Sequence, residues 1–193
     1  NAIDNTNEPV IAFIGERYTS LANLKIQSSS PEPDRGVLLT NSSSIHGTRN
    51  CGFNSLRIKL DRSNVNSIGI EQRVTAAPAS YAGANSWNVY QAATITNTYS
   101  GIKISGDAVL PDSGTTITAC IVGAGTVPDD IGNGTAAAFG IYAQNESGIN
   151  ITHNFVRNIS VAGNVPVTGI FLEGGKGTCN IYGNKVRDRK SVV

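Results

Sequence analysis

GIYAQNESGINITHNFVRN (residues 140–158) and GIFLEGGKGTCNIYGNKVRD (residues 169–188) are two versions of one sentence, aligned by a single inserted residue. Both open on Gly-Ile-aromatic. Both bring an asparagine, Asn154 or Asn184, to the place just before a Phe-Val or Lys-Val step. The opening phrase recurs upstream as GVLL at 36, GIEQ at 69 and GIKI at 101, so consecutive starts lie 33, 32, 39 and 29 residues apart. Recurrence at such intervals marks units that stack to share a core.

What faces that core follows from strand alternation, in which residues two apart share a face. The residue after each glycine is Val37, Ile70, Ile102, Ile141 or Ile170; two further on stand Leu39, Gln72, Ile104, Ala143 and Leu172. Nine of these ten are apolar, and Gln72 is the exception. Stacked coils would turn them into aliphatic ladders, with Val37, Ile70, Ile102, Ile141 and Ile170 as the first. The intervening column Leu38, Glu71, Lys103, Tyr142, Phe171 and the next, which ends in Glu173, are mixed in character and read as an outer wall.

Runs such as VIAFI (10–14), LRIKL (56–60), WNVYQ (87–91), TTITACIV (115–122) and NIYG (180–183) supply further strands, with SSSPEPD, SNVNS, LPDSG and VPDDIGNG as corners between them. No amphipathic helix is present in the pattern. Gly, Asn, Ser and Thr contribute 21, 20, 18 and 16 of 193 residues, which suits many tight bends. The expected fold is therefore all-β, a right-handed parallel β-helix of about five to six coils. The alternative is an antiparallel β-sandwich, which has no reason to repeat one motif in register. Residues 1–193 are read as a single domain, either whole or a piece of a longer solenoid, with residues 1–35 lacking the motif.

The segments GIYAQNESGINITHNFVRNISV and TGIFLEGGKGTCNIYGNKVRD resemble the repeats of parallel β-helix proteins on bacterial and phage surfaces, within the pectate-lyase-like superfold. That group holds polysaccharide lyases and hydrolases, tailspikes, adhesins and long surface proteins, so the resemblance implies an architecture and an extracellular setting without choosing an activity. Asp129-Asp130, His46-Gly47 and Arg57-Ile58-Lys59 are the pieces of a polygalacturonase-like set. Their order and spacing are wrong for it, and no catalytic residue is assigned.

Composition narrows the partners. Net charge is +1 and only the tail Lys185, Arg187, Arg189, Lys190 is basic in sequence, which argues against nucleic acid. No stretch approaches the apolar length of a membrane span. The absence of methionine and of a leader reads as a mature product or an excised fragment. Three dispersed cysteines, Cys51, Cys120 and Cys179, offer no zinc or redox motif, and two histidines, His46 and His153, no multi-imidazole metal site. Calcium is the one metal with a candidate position, at Asp129 and Asp130, although no full calcium-loop spacing accompanies them; no cofactor is expected.

These readings converge on a secreted or surface-displayed structural or adhesive module, filament-forming or in contact with neighbouring solenoid segments. Its contact wall would comprise Glu71, Lys103, Tyr142, Phe171 and Glu173. The alternatives are a carbohydrate-active β-helix and a glycan-binding wall without catalysis.

Overall fold

A computed structural model describes residues 8–125 and 130–192, with side chains as far as Arg187. The chain winds through six coils. The first holds β1 (Pro9–Ile14), β2 (Ser20–Ala22) and β3 (Lys25–Gln27); the second β4 (Arg35–Thr40), β5 (Gly52–Asn54) and β6 (Arg57–Lys59). The third holds β7 (Ile68–Arg73), β8 (Val89–Gln91) and β9 (Thr94–Thr96), and the fourth β10 (Ser100–Ser105), β11 (Asp112–Ser113), β12 (Thr116–Thr118) and β13 (Ile121–Val122). β14 (Ala138–Gln144), β15 (Glu146–Ser147), β16 (Asn150–Thr152) and β17 (Phe155–Ala162) form the fifth; β18 (Val167–Glu173), β19 (Asn180–Tyr182) and β20 (Lys185–Val192) the sixth.

Equivalent strands of successive coils pair in parallel, giving three six-stranded sheets. The first is β1-β4-β7-β10-β14-β18, the second β2-β5-β8-β12-β16-β19, the third β3-β6-β9-β13-β17-β20; β11 and β15 form a short fourth strip. The molecule is a parallel β-helix. In the first sheet Ile11, Val37, Ile70, Ile102, Ile141 and Ile170 are register partners in series, the ladder read from the glycine motif plus one coil the motif does not mark. Leu21, Phe53, Tyr90, Ile117, Ile151 and Ile181 form the matching column of the second sheet. Ile26, Ile58, Ile95, Val122, Val156 and Val186 form that of the third. Except for Ile181 and Val186 in the sixth coil, which are exposed, these columns meet in one hydrophobic core.

The glycine that opens each coil has a steric cause. A Cβ on Gly36, Gly69, Gly101 or Gly140 would come within 2.6 Å of a methyl of Ile58, Ile95, Val122 or Val156 in the third sheet. Each would also press on the carbonyl of the next glycine in the column, at 2.4–2.8 Å. The first and third sheets approach too closely there for any side chain.

A second constant is the corner between the second and third sheets. It holds two residues in every coil, and the first of each pair (Asn23, Ser55, Ala92, Ala119, His153, Gly183) has a positive φ between 53° and 67°. The second of the pair is Leu24, Leu56, Ala93 or Cys120 in the early coils and Asn154 or Asn184 in the last two. There an asparagine ladder takes over: the Asn184 Oδ1 accepts the Asn154 amide at 2.9 Å, and the Asn154 Oδ1 accepts that of Cys120 at 2.9 Å. The corners between the first and second sheets and between the third and first vary in length and carry the loops.

Candidate functional site

The outer face of the first sheet carries the wall expected from the sequence in register: Leu38, Glu71, Lys103, Tyr142 and Phe171 are serial partners. The structure divides it into a sealed half and an open half. Glu71 is only 4% exposed, because Arg35 on β4 donates through Nε to its Oε2 at 2.7 Å and Arg73 Nη1 stands 3.7 Å from the same oxygen. Asp34 holds the other side of Arg35 at 3.2 Å. Glu71 is therefore not a surface contact. Two arginines and two acids have neutralised one another over coils two and three, a cluster that strand alternation alone could not distinguish from an open wall.

The open half lies over coils four to six. The Tyr142 and Phe171 rings stack at 5.6 Å with 15° between their planes, and Phe139 adds a third ring at 5.1 Å from Tyr142 and 6.1 Å from Phe171. Lys103 Nζ lies 5.9 Å from the Tyr142 ring centroid, within cation–π range. Glu173 Oε2 accepts from the Tyr142 hydroxyl at 3.0 Å and from Gln144 Nε2 at 3.2 Å. Partial burial, and then the Glu173 carboxylate, push the Tyr142 phenol up to about 12; it stays a hydrogen-bond donor throughout the physiological range.

Beside these rings a cleft of about 370 Å³ opens, lined by Lys103, Ser105, Gln144, Phe139 and Tyr142. Asn66 and Tyr99 also line it. Tyr99 is stitched to the long loop of the fifth coil: its hydroxyl donates to the Ala136 carbonyl at 2.5 Å and accepts the Ala136 amide at 2.9 Å. Phe139 and Tyr99 were not read from sequence as part of the wall. The available signal was the 39-residue interval before Gly140, the longest of the series, which marked inserted chain beside the wall.

A second constellation lies inside the solenoid. Gln72, the polar break in the ladder, is fully buried and spends its whole amide: Nε2 donates to the Asn85 carbonyl and to Asp112 Oδ2, each at 2.8 Å, while Oε1 accepts from Asn88 and Tyr90 at 3.0 and 2.8 Å. Asp112, expected in an LPDSG corner, is an inward residue of β11, and its register partner on β15 is Glu146. Both are fully buried, and neither Glu146 oxygen has a hydrogen-bond partner. Burial raises the Asp112 carboxyl to about 7. Burial, and then the Asp112 charge, raise that of Glu146 well above the carboxylate range, with the nearby Thr115 hydroxyl opposing the shift. Both carboxyls therefore hold their protons to higher pH than a solvated carboxyl does. Enclosed in the core, the pair cannot reach a bond in a polymer.

The remaining candidates stay apart. Arg57-Ile58-Lys59 is β6, with Ile58 in the core; His46 sits in an exposed turn between the first and second sheets, its Nδ1 3.1 Å from the Ser43 hydroxyl. Asp130 is buried, 3.9 Å from Arg62 Nη1, while Asp129 lies outside the described residues. His153 occupies a left-handed corner with its ring edge-on to Tyr182 at 5.3 Å. Among the described residues no group of three or more His, Cys, Asp or Glu is placed to hold a metal ion, and the three cysteines are unbridged. Among the described residues no helix is long and apolar enough to cross a membrane.

The fold and the site define a class, a parallel β-helix with an aromatic cleft on one wall. Comparison with protein-family models, with curated proteins and with solved structures gives no significant match.

Proposed function

We propose that this protein is a surface-displayed adhesive module that holds glycans, without cleaving them, against the open half of its first sheet. The observation that carries the reading is the contiguous platform of Phe139, Tyr142 and Phe171 beside a polar cleft. Pyranose rings present C–H faces to aromatic planes and hydroxyls at their edges. Lys103 and Gln144 supply donors and Glu173 an acceptor at the rim of those rings. A non-catalytic role is supported by the acid pair Asp112 and Glu146, which is fully buried and does not line the cleft.

The test is calorimetric titration with neutral cello-, xylo- and malto-oligosaccharides. Binding by at least one series is expected. Tyr142→Ala and Phe171→Ala should each weaken it by about five- to thirtyfold, the range of a truncated aromatic contact. Binding unchanged in both variants, no binding across the panel, or release of shortened products would overturn the reading.

A second reading, self-association through the last coil, is favoured by one observation. Ile181 and Val186 are 46% and 39% exposed, whereas Ile151 and Val156, their register partners one coil earlier, are fully buried. Sedimentation over a wide concentration range tests it; a monomer at all concentrations would exclude it.

A further inference from the structure

Charge is sorted by wall. The outward positions of the second sheet form the columns Ser20, Gly52, Val89, Thr116, Asn150, Asn180 and Ala22, Asn54, Gln91, Thr118, Thr152, Tyr182, with no ionisable acid or base except a tyrosine. The corresponding positions of the third sheet are the column Lys25, Arg57, Thr94, Ile121, Phe155, Lys185 and, on either side of the two-residue β13, the partners Gln27, Lys59, Thr96 and Arg157, Arg187. Six of these eleven positions are basic and none is acidic. The rest of the chain holds nine basic and 14 acidic residues, so a cationic face stands on an otherwise acidic body. Linear sequence hides this, because the six cations come from four strands separated by up to 162 residues.

Two local features sharpen the pattern. Lys25 and Arg57 are direct register partners, and like charges so placed repel. A groove of about 350 Å³ opens beside them, lined also by Asn23 and Ser55 from the left-handed corner. At the other end of the face, Arg157, Lys185 and Arg187 surround the Phe155 ring with their charged groups 5.0, 5.5 and 5.9 Å from its centroid. Between the two clusters lie the short hydroxyl side chains Thr94 and Thr96. From β3 to β20 is five strand steps, about 24 Å at 4.8 Å each.

We infer that the third sheet is a second binding face, which takes a linear anionic polysaccharide laid along the solenoid axis. Sulfate, phosphate or carboxylate groups of the polymer bridge Lys25 and Arg57 at one end and Arg157, Lys185 and Arg187 at the other, relieving the repulsion within each cluster. The face is flat along one dimension and cationic at both ends, which matches a chain and not a compact ion. Sugar hydroxyls meet the central threonines. Single-stranded nucleic acid fits less well, since it is held by successive stacking rings. On this face the single ring, Phe155, is already ringed by cations.

Dextran sulfate and polygalacturonate, each in short and long fractions, are the probes, with neutral dextran and poly-dT as comparisons, read by calorimetry at several salt concentrations. At least one acidic polymer should bind more tightly than neutral dextran, and its affinity should fall steeply with salt as counterion release demands. Chains long enough to span both clusters should bind better than short ones, as for any two-point attachment. The exposed pairs K25Q/R57Q and K185Q/R187Q should each lower affinity about tenfold or more, as loss of two ionic contacts implies, with unchanged melting temperature. K103Q, on the other wall, should leave it unaltered, so this face and the aromatic cleft fail independently. Equal affinity for neutral and acidic dextrans, unaltered binding by both double variants, or tighter capture of poly-dT through the same residues would overturn the proposal.

Discussion

Gln72 is the one residue at which the inward ladder turns polar, and the structure gives the reason. It is the donor and acceptor hub for Asp112, Asn85, Asn88 and Tyr90. The irregularity is visible in sequence; its partners are not, because Asn85 and Asn88 sit on a loop, Asp112 on a two-residue strand and Tyr90 on a strand of another sheet. Asp112 and Glu146 make the interior sensitive to pH. Their folded-state carboxyls titrate above the ordinary value near 4, so the folded chain holds protons that the unfolded chain has released. Stability is then greatest below about pH 4 to 5 on this account and falls as pH rises toward 7. Glu146→Gln should flatten the profile and raise the melting temperature at pH 8 relative to the parent. Parent melts that coincide at pH 5 and pH 8 would show that the pair is solvated after all.

At the scale of the strand, the glycine motif was legible as a repeat but not as a packing constraint, since its cause lies in another sheet. Gly101→Ala would place a methyl 2.3 Å from Val122 Cγ1 and 2.4 Å from the Gly140 carbonyl. Backbone must move, at a cost of roughly 1–3 kcal/mol or more. Gly52→Ala is the contrasting change: its nearest neighbour is the Ser20 hydroxyl at 3.4 Å, on an outward position. It should be neutral within about 0.5 kcal/mol. Chemical denaturation of the two variants distinguishes a steric role for the motif from a mere preference for turns. β1 shows the complementary case. Val10 stands in register with Gly36 and is exposed, so the first coil joins the solenoid without the glycine and escaped the repeat pattern.

For the molecule as a whole, the architecture could be read from five glycine-aliphatic starts, whereas the character of each wall could not. Sealing of Glu71 by Arg35 and Arg73, and the gathering of distant cations on the third sheet, both depend on which strands become neighbours. A solenoid's stability is close to a sum over neighbouring coils, so terminal coils open first. Amide hydrogen exchange should therefore be slowest in β7 and β10, which pair on both sides, and markedly faster in β18, β19 and β20, which pair on one. Uniform protection through all six coils would indicate that the last coil is covered in solution.

The two-residue corner between the second and third sheets carries a further consequence. Six coils repeat it without a single change in length, while the other two corners range from three residues (Asn97 to Tyr99) to fifteen (residues 74–88). It works as a hinge pin of fixed size: one added residue there would shift the third-sheet strand that follows by half an alternation and turn its inward column outward. The other corners act as expansion joints. New chain can be spliced into them without disturbing the pitch, so lineages of this fold are free to acquire new loops beside the first sheet and barred from doing so at the edge it does not share.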